Sequence, residues 1–334
     1  MRIYLDAMGG DNAPEATVLG SLQALDRFKD LTIILAGIKE EIEKYLVDKN
    51  YDKNRLIIEE ANELIGNDES PVMAIRRKKD SAIVKGMLAL KNKEVDAFVS
   101  AGSTGAVLAG GMFRLGRIKG IERPALAPLL PNGKDFFLLI DCGANVDCKP
   151  EYLKQFALMG NAYMKSVRNL ENPRIGLLNN GAEAEKGNEL TKAAYKLIEA
   201  TDLNFVGNIE GREVTHDIAD VLVCDGFSGN IILKFMEGVV ETLMGMIKKE
   251  LTSDTLSKIG ALLAKPAFKR VKKSMDYSEV GGAPLLGVNG VVVKAHGSSN
   301  AYSITSAIAQ TVHMVDVNLS QRIESSLTAD NACK

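Results

Sequence analysis

The 334-residue chain has no tryptophan, three histidines and four cysteines, and only 5% of it is aromatic. A chain of this length can bury a substantial core, in one large unit or two lobes, but must build it from aliphatic side chains. The cysteines, Cys142, Cys148, Cys224 and Cys333, have no zinc-ligand spacing, since Cys142 and Cys148 form a lone C-x5-C. They are expected as reduced, mostly buried thiols of a cytosolic protein. Cys142 as a nucleophile is the sharper alternative, with no histidine near it in sequence. The net charge of −2 gives no footprint for nucleic acid. No apolar run approaches the ~18 residues of a membrane span, and the N-terminal MRIYLDAMGGD lacks a signal-peptide layout.

Several catalytic signatures are also missing. No G-x-x-x-x-G-K-[ST] cradles a nucleotide, no G-x-G-x-x-G opens a dinucleotide site, and no H-E-x-x-H marks a metal. GFSGN is not the G-x-S-x-G elbow of a serine hydrolase. Neither metal nor cofactor is expected.

What is present is a sustained alternation of short apolar strands and helices. It predicts an α/β fold, three-layered, with a mainly parallel sheet and helices on both faces. The chain reads as one unit, or as two lobes sharing a cleft, 1–140 with 281–334 and 141–280. Polar, glycine-rich turns follow the strands at Gly9, Gly102, Gly143, Gly181, Gly226 and Gly297. In α/β proteins such turns converge on the carboxyl edge of the sheet, where binding sites form.

The most informative stretch is GGAPLLGVNGVVVKAHGSSN (281–300). Asn289-Gly290 between β-branched residues signals a hairpin. Its second strand, VVVK, runs into His296, Gly297, Ser298, Ser299 and Asn300 before a helix read over 302–325. Free backbone N–H groups gather at such a helix start and can hold an anion. The plainer role for Ser298, Ser299 or Asn300 is to cap that helix.

Residues 251–280 break the pattern. Leu256, Ile259, Leu262, Leu263, Phe268 and Val271 recur every three or four residues among Lys258, Lys265, Lys269, Arg270, Lys272 and Lys273. Pro266 is expected to break or kink the segment into a basic amphipathic helical hairpin. That suits a membrane or an acidic protein; packing on the core or on a dimer mate is the alternative. The run Arg76–Lys79 is a second basic patch, most simply a solvated face.

Hydroxyls, Asn145, Asn179, Asn230, Lys186 and His296 amount to an inventory for holding an oxyanion rather than for making a strong nucleophile. Inorganic phosphate is already a competent oxygen nucleophile, and needs only positioning against an activated carbonyl such as a thioester.

DAMGGDNAP (6–14), SAGSTGA (100–106), DCGAN (141–145), FVGNIEGR (205–212), CDGFSGN (224–230) and GGAPLLGVNGVVVKAHGSS (281–299) together resemble the PlsX family, the acyl-acyl-carrier-protein:phosphate acyltransferases of bacterial phospholipid synthesis. The resemblance covers nearly the whole chain. It implies transfer of a fatty acyl group from acyl carrier protein to phosphate. It also implies a fold similar to phosphotransacetylases and isocitrate/isopropylmalate dehydrogenases, a homodimer, and a cytoplasmic protein peripherally bound to anionic membrane. Near 179–187 the sequence departs from the family pattern. Glu183, Lys186 and Gly187 match, whereas Asn180 replaces an aliphatic residue and Ala184 stands where a second glutamate is expected.

On this reading Lys186, His296 and Asn230 are catalytic. Gly9, Gly10, Asp11, Gly102, Ser103, Thr104, Gly105, Asp141, Asn145, Asp225, Gly297 and Ser298 bind substrate. Leu262, Leu263 and Phe268 contact membrane, while Arg76–Lys79 and Lys265–Lys273 are the candidate surfaces for carrier or lipid. The rivals are a phosphotransacetylase using a coenzyme A thioester and a non-enzymatic membrane scaffold.

Overall fold

The structure, a computed structural model, describes residues 1–275 and 281–332, with backbone alone for 272–275 and 331–332. Val280 and Cys333, and the side chains of Lys272 and Lys273, therefore lie outside the described residues. The N-terminal part alternates β1 (Arg2–Asp6), α1 (Glu15–Arg27), β2 (Thr32–Gly37), α2 (Lys39–Lys44) and β3 (Leu56–Glu60). It continues through α3 (Pro71–Arg77), α4 (Ala82–Lys91), β4 (Ala97–Ser100) and α5 (Thr104–Gly110), which widens into a π turn over Gly111–Leu115. Then come β5 (Ala125–Leu126), β6 (Leu129–Pro131), β7 (Phe136–Ile140), α6 (Pro150–Val167), β8 (Ile175–Asn179), α7 (Glu189–Glu199), β9 (Phe205–Glu210) and β10 (Val221–Val223). Two long helices, α8 (Gly226–Leu251) and α9 (Thr255–Met275), precede the hairpin β11 (Ala283–Leu286) and β12 (Val291–Lys294), with α10 (Ala301–Asp316) and α11 (Leu319–Ala332) last.

The α/β class and the mainly parallel strands follow the sequence pattern, but the strands form two sheets. One runs β3-β2-β1-β4-β12-β11-β5, the other β6-β7-β10-β8-β9. Antiparallel pairing is confined to β11 with β12 and β5, and to β6 with β7. The sheets part between Leu126 and Leu129, so β6 and β7 sit in the second sheet although they fall within 1–140. Pro128, with no N–H to donate, interrupts what reads in sequence as one strand over 125–130.

Successive side chains of a strand point to opposite faces, and the core divides accordingly. Ile3, Leu5, Ile33, Leu35, Val99 and Val293 pack on one face of the first sheet with Val18 of α1 and Ile304 and Ile308 of α10. Tyr4, Ile34, Phe98 and Val292 face the other way, onto Ile83, Val84 and Met87 of α4. The first cluster continues through Leu153 and Phe156 of α6 to Leu138, Ile140, Val221 and Val223, joining the two sheets in one apolar core.

Two helix readings need correction. The segment read over 302–325 is two helices, because Asn318 takes φ 53° between α10 and α11. Pro266 does not break α9, which runs through it. That stretch is exposed, so water can replace the bond its missing N–H would have made. The chain turns earlier, where Asp254 accepts the Ser257 N–H (2.9 Å) and Ser257 hydroxyl (2.7 Å), so the helical hairpin is α8 with α9.

Candidate active site

Three turns at the carboxyl ends of β1, β4 and β12 are stitched to one another. The Asp11 N–H donates to the Gly297 carbonyl (2.7 Å), and Asn12 Nδ2 donates to the carbonyls of Ser298 (3.1 Å) and Ser299 (3.2 Å). A Cβ on Gly9 would stand 2.5 Å from the Gly102 nitrogen, so glycine is required where the first two turns cross. Gly10 adopts φ 101°, open to glycine without strain. Beneath them Asp6 is fully buried. It accepts from the Ser100 hydroxyl (2.7 Å) and the Met8 N–H (3.2 Å), and Ser100 Oγ in turn accepts the Gly102 N–H (3.0 Å). Burial raises the Asp6 carboxyl above its ordinary value, against those hydrogen bonds and the charge of Lys294.

The second sheet supplies the opposite wall. Asp141, fully buried after β7, accepts the N–H groups of Leu126 (2.9 Å), Cys142 (2.7 Å), Ala144 (3.4 Å) and Asn145 (2.6 Å), and the Asn145 amide (3.0 Å). Burial pushes its carboxyl up to about 6, with those donors acting to lower it. Asp225 caps α8 by accepting the Ser228 N–H (2.8 Å). The first turns of α8 then present Asn230, Lys234 and Glu237.

Between these walls lies a cavity of about 620 Å³, lined by Gly9, Gly10, Asp11, Gly102, Ser103, Thr104, Gly143, Asn230, Lys234, Glu237, Lys294, His296 and Gly297 among others. His296 Nδ1 accepts the Ser298 N–H (3.2 Å) and lies 2.8 Å from Ser298 Oγ. That leaves the ring proton on Nε2, which faces Glu237 Oε1 at 3.6 Å. Desolvation lowers the His296 pKa below the usual 6.5, opposed by the Glu237 charge, so the ring is neutral at pH 7. Glu237 also pairs with Lys234 (2.8 Å).

A second cavity, about 1070 Å³ and chiefly apolar, runs between α8 and α9 past Met244, Leu251, Leu262 and Phe268. It ends at Gly281, His296, Ser298 and Ser299. The two cavities share Gly281 and His296.

The structure thus brings together Gly9, Gly10, Asp11, Gly102, Ser103, Thr104, Asn230, His296 and Gly297. It places Ser298 on the His296 ring and in the apolar groove. Asp141, Asn145 and Asp225 stand behind the wall as its framework, and Gly105 packs toward Pro71 of α3. Lys186 is exposed on the loop after β8, outside the cavity wall. Asn300 caps α10, accepting the Ser303 N–H (2.9 Å). Cys142 lines the cavity, but burial pushes its thiol up to about 12, which disfavours the thiolate a nucleophile needs.

Lys234, Glu237 and Lys294 escape a motif-by-motif reading. Lys234 and Glu237 lie four and seven residues beyond Asn230, on the same helical face. Lys294 is a lone charge ending an otherwise apolar, fully buried strand.

Glycine turns, a neutral histidine and an amide line a cleft between two mostly parallel sheets of an α/β fold. Solved structures share this fold. A phosphotransacetylase from Streptococcus pyogenes matches with TM-score 0.62 at 18% identity, covering 95% of this chain and 94% of that one. A branched-chain phosphotransacylase from Enterococcus faecalis matches with TM-score 0.54 at 14% identity, covering 94% and 99%. At the level of sequence, the family described as "Fatty acid synthesis protein" matches residues 1–322. A protein of Clostridium botulinum named "Phosphate acyltransferase" is 51% identical over 98% of both chains. The chain belongs to this family, the PlsX phosphate acyltransferases, as its motifs indicate.

Proposed function

We infer that the protein is a phosphate acyltransferase that moves a long-chain fatty acyl group from acyl carrier protein to inorganic phosphate. One observation carries this reading: the polar cavity and the apolar groove meet at His296. A small anion and a long hydrocarbon chain would then approach one reacting carbon from opposite sides. Phosphotransacetylase neighbours fit as a related fold, and the groove argues for a longer acyl chain than acetyl.

Phosphate would rest on the backbone N–H groups of the turns after β1, β4 and β12. Its oxygen attacks the thioester carbonyl, the C–O bond forms and the C–S bond breaks. The proton of hydrogen phosphate passes to the departing thiolate. His296 Nε2–H and the Asn230 amide are the donors for the carbonyl oxyanion. Lys186 adds positive charge if its loop draws over the cavity. The residues required are all of this chain; no cofactor enters the scheme.

Three finer assignments belong to the same reading. The carrier, an acidic protein, would meet Arg76–Lys79 or Lys265–Lys273. Leu262, Leu263 and Phe268 would touch anionic membrane, making the protein cytoplasmic and peripheral. A second copy would cover an exposed apolar stripe on α8. The first experiment is acyl phosphate formation, trapped with hydroxylamine, from long-chain acyl-carrier protein with and without phosphate. Phosphate-dependent product is expected. Product only from acetyl-CoA would move the assignment to a phosphotransacetylase, and none from either would leave a scaffold.

A further inference from the structure

Lys294 ends β12, immediately before the His296 turn. It is more than nine-tenths buried and lines the polar cavity. Its Nζ donates to the carbonyls of Ala295 (2.5 Å) and Ala101 (3.3 Å), tying the turn after β12 to the turn after β4. An ammonium has three N–H donors. Among the described residues the third has no protein acceptor, and no carboxylate forms an ion pair with Nζ. Asp6 and Asp11 act on it only through space. A buried charge without a partner is costly, and is retained where something else supplies the counter-charge.

The neighbouring charges show what that counter-charge should be. Lys234 is already matched by Glu237. His296 is neutral at pH 7. Asp6 is committed to Ser100 and the turn amides. Lys294 is therefore the cation on the cavity wall whose charge is not cancelled by a direct partner. Its position fits a small anion seated on the same turns that it ties together.

We propose that Lys294 binds the phosphate directly, its third N–H reaching the anion from the floor of the cavity while the other two hold the turns in place. This rests on the phosphate-acyltransferase reading of the cavity. It adds a residue that neither the glycine turns nor the oxyanion donors supply. Burial draws the Lys294 pKa down to about 8, opposed by Asp6 and Asp11 and assisted by Lys234. The charge is thus present below pH 8 and lost above it. The titratable groups around it are Asp6 at the end of β1, Asp11 on the following turn, Lys234 and Glu237 on α8, and His296 on its own turn.

The test is binding of inorganic phosphate to the full chain by titration calorimetry, without acyl substrate. Wild type, Lys294→Met and Lys294→Arg are compared at pH 7.5 and pH 9. Loss of one charge-assisted contact should weaken phosphate binding about ten- to a hundred-fold in Lys294→Met. Wild type should itself lose roughly four- to eightfold between pH 7.5 and pH 9, as the ammonium deprotonates. Lys294→Arg, charged throughout, should bind within about twofold at both pH values, the residual change being the second ionisation of phosphate itself. In turnover, Lys294→Met should raise the KM for phosphate and leave that for acyl-carrier protein within about twofold, whereas a merely structural lysine would change both. A folded Lys294→Met that binds phosphate as wild type does would overturn the proposal. If that variant does not melt cooperatively, the pH comparison of wild type with Lys294→Arg decides, and a flat wild-type affinity rejects the assignment. Absence of acyl phosphate from wild type would reject the enzymatic reading instead, while the calorimetry still judges Lys294.

Discussion

His296 shows how much chemistry one side chain draws from its turn. The Ser298 N–H occupies Nδ1, so the neutral ring can donate only through Nε2. Protonation would place an N–H against an N–H and disturb the turn. The pKa is lowered, so this happens only in acid, and the acid limb of kcat/KM should lie below 6.5. His296→Ala should cut turnover by about 10²–10³ with little loss of stability, the usual cost of one oxyanion donor. Normal turnover in that variant, followed by hydroxylamine trapping, would remove the residue from the mechanism. Lys186→Ala makes the companion test for a residue that stands outside the cavity wall. Asp141 invites the opposite expectation. It accepts five hydrogen bonds while fully buried, and an amide in its place would turn a donor toward the Asn145 N–H groups. Asp141→Asn should therefore lose about 2–4 kcal/mol of stability in urea unfolding, since buried donors left unmatched cost ~1–3 kcal/mol each. From the sequence, Asp141 and His296 look alike, as polar residues in glycine-rich turns. Only burial and partner count separate framework from chemistry.

At the level of elements, the turns were legible because strand, glycine and helix follow one another with little ambiguity. The same local reading could not reveal that the strands divide into two sheets. Sheet membership depends on pairing between strands distant in sequence, such as β12 with β4. The site residues it missed sit on regular elements, Lys234 and Glu237 inside a helix and Lys294 in a strand, where no turn chemistry announces them. The α9 helix carries a further expectation. Leu262 and Leu263 are 70% and 78% exposed beside Lys258 and Lys265, an apolar edge flanked by cations. Such a helix can lie in a membrane surface, apolar face inward and lysines toward anionic headgroups. Replacing Leu263, which stands outside the groove lining, with glutamate should weaken co-sedimentation with anionic vesicles while soluble turnover persists. Undiminished vesicle binding would show that α9 is not the contact.

On the scale of the whole molecule, α8 is the part that a single chain explains least. It is 26 residues long, yet only Gly226 and Gly229 are buried. Phe227, Ile231, Phe235, Val239, Leu243 and Met246 line one face, each 45–69% exposed. An apolar stripe of this length on a helix that also forms the cavity wall calls for a cover. A second copy would provide it with the same surface, because a two-fold interface is self-complementary. Phe235→Asp with Leu243→Asp should convert a dimer to a monomer in sedimentation velocity, with far-ultraviolet circular dichroism retained. Turnover should fall with it. The substitutions touch neither Asn230 nor Glu237, but they would free the helix that holds Glu237 against His296 and Asn230 in the cavity wall. A folded monomer with undiminished turnover would show that each chain keeps α8 in place by itself; an unchanged sedimentation coefficient would show that the stripe is not the interface.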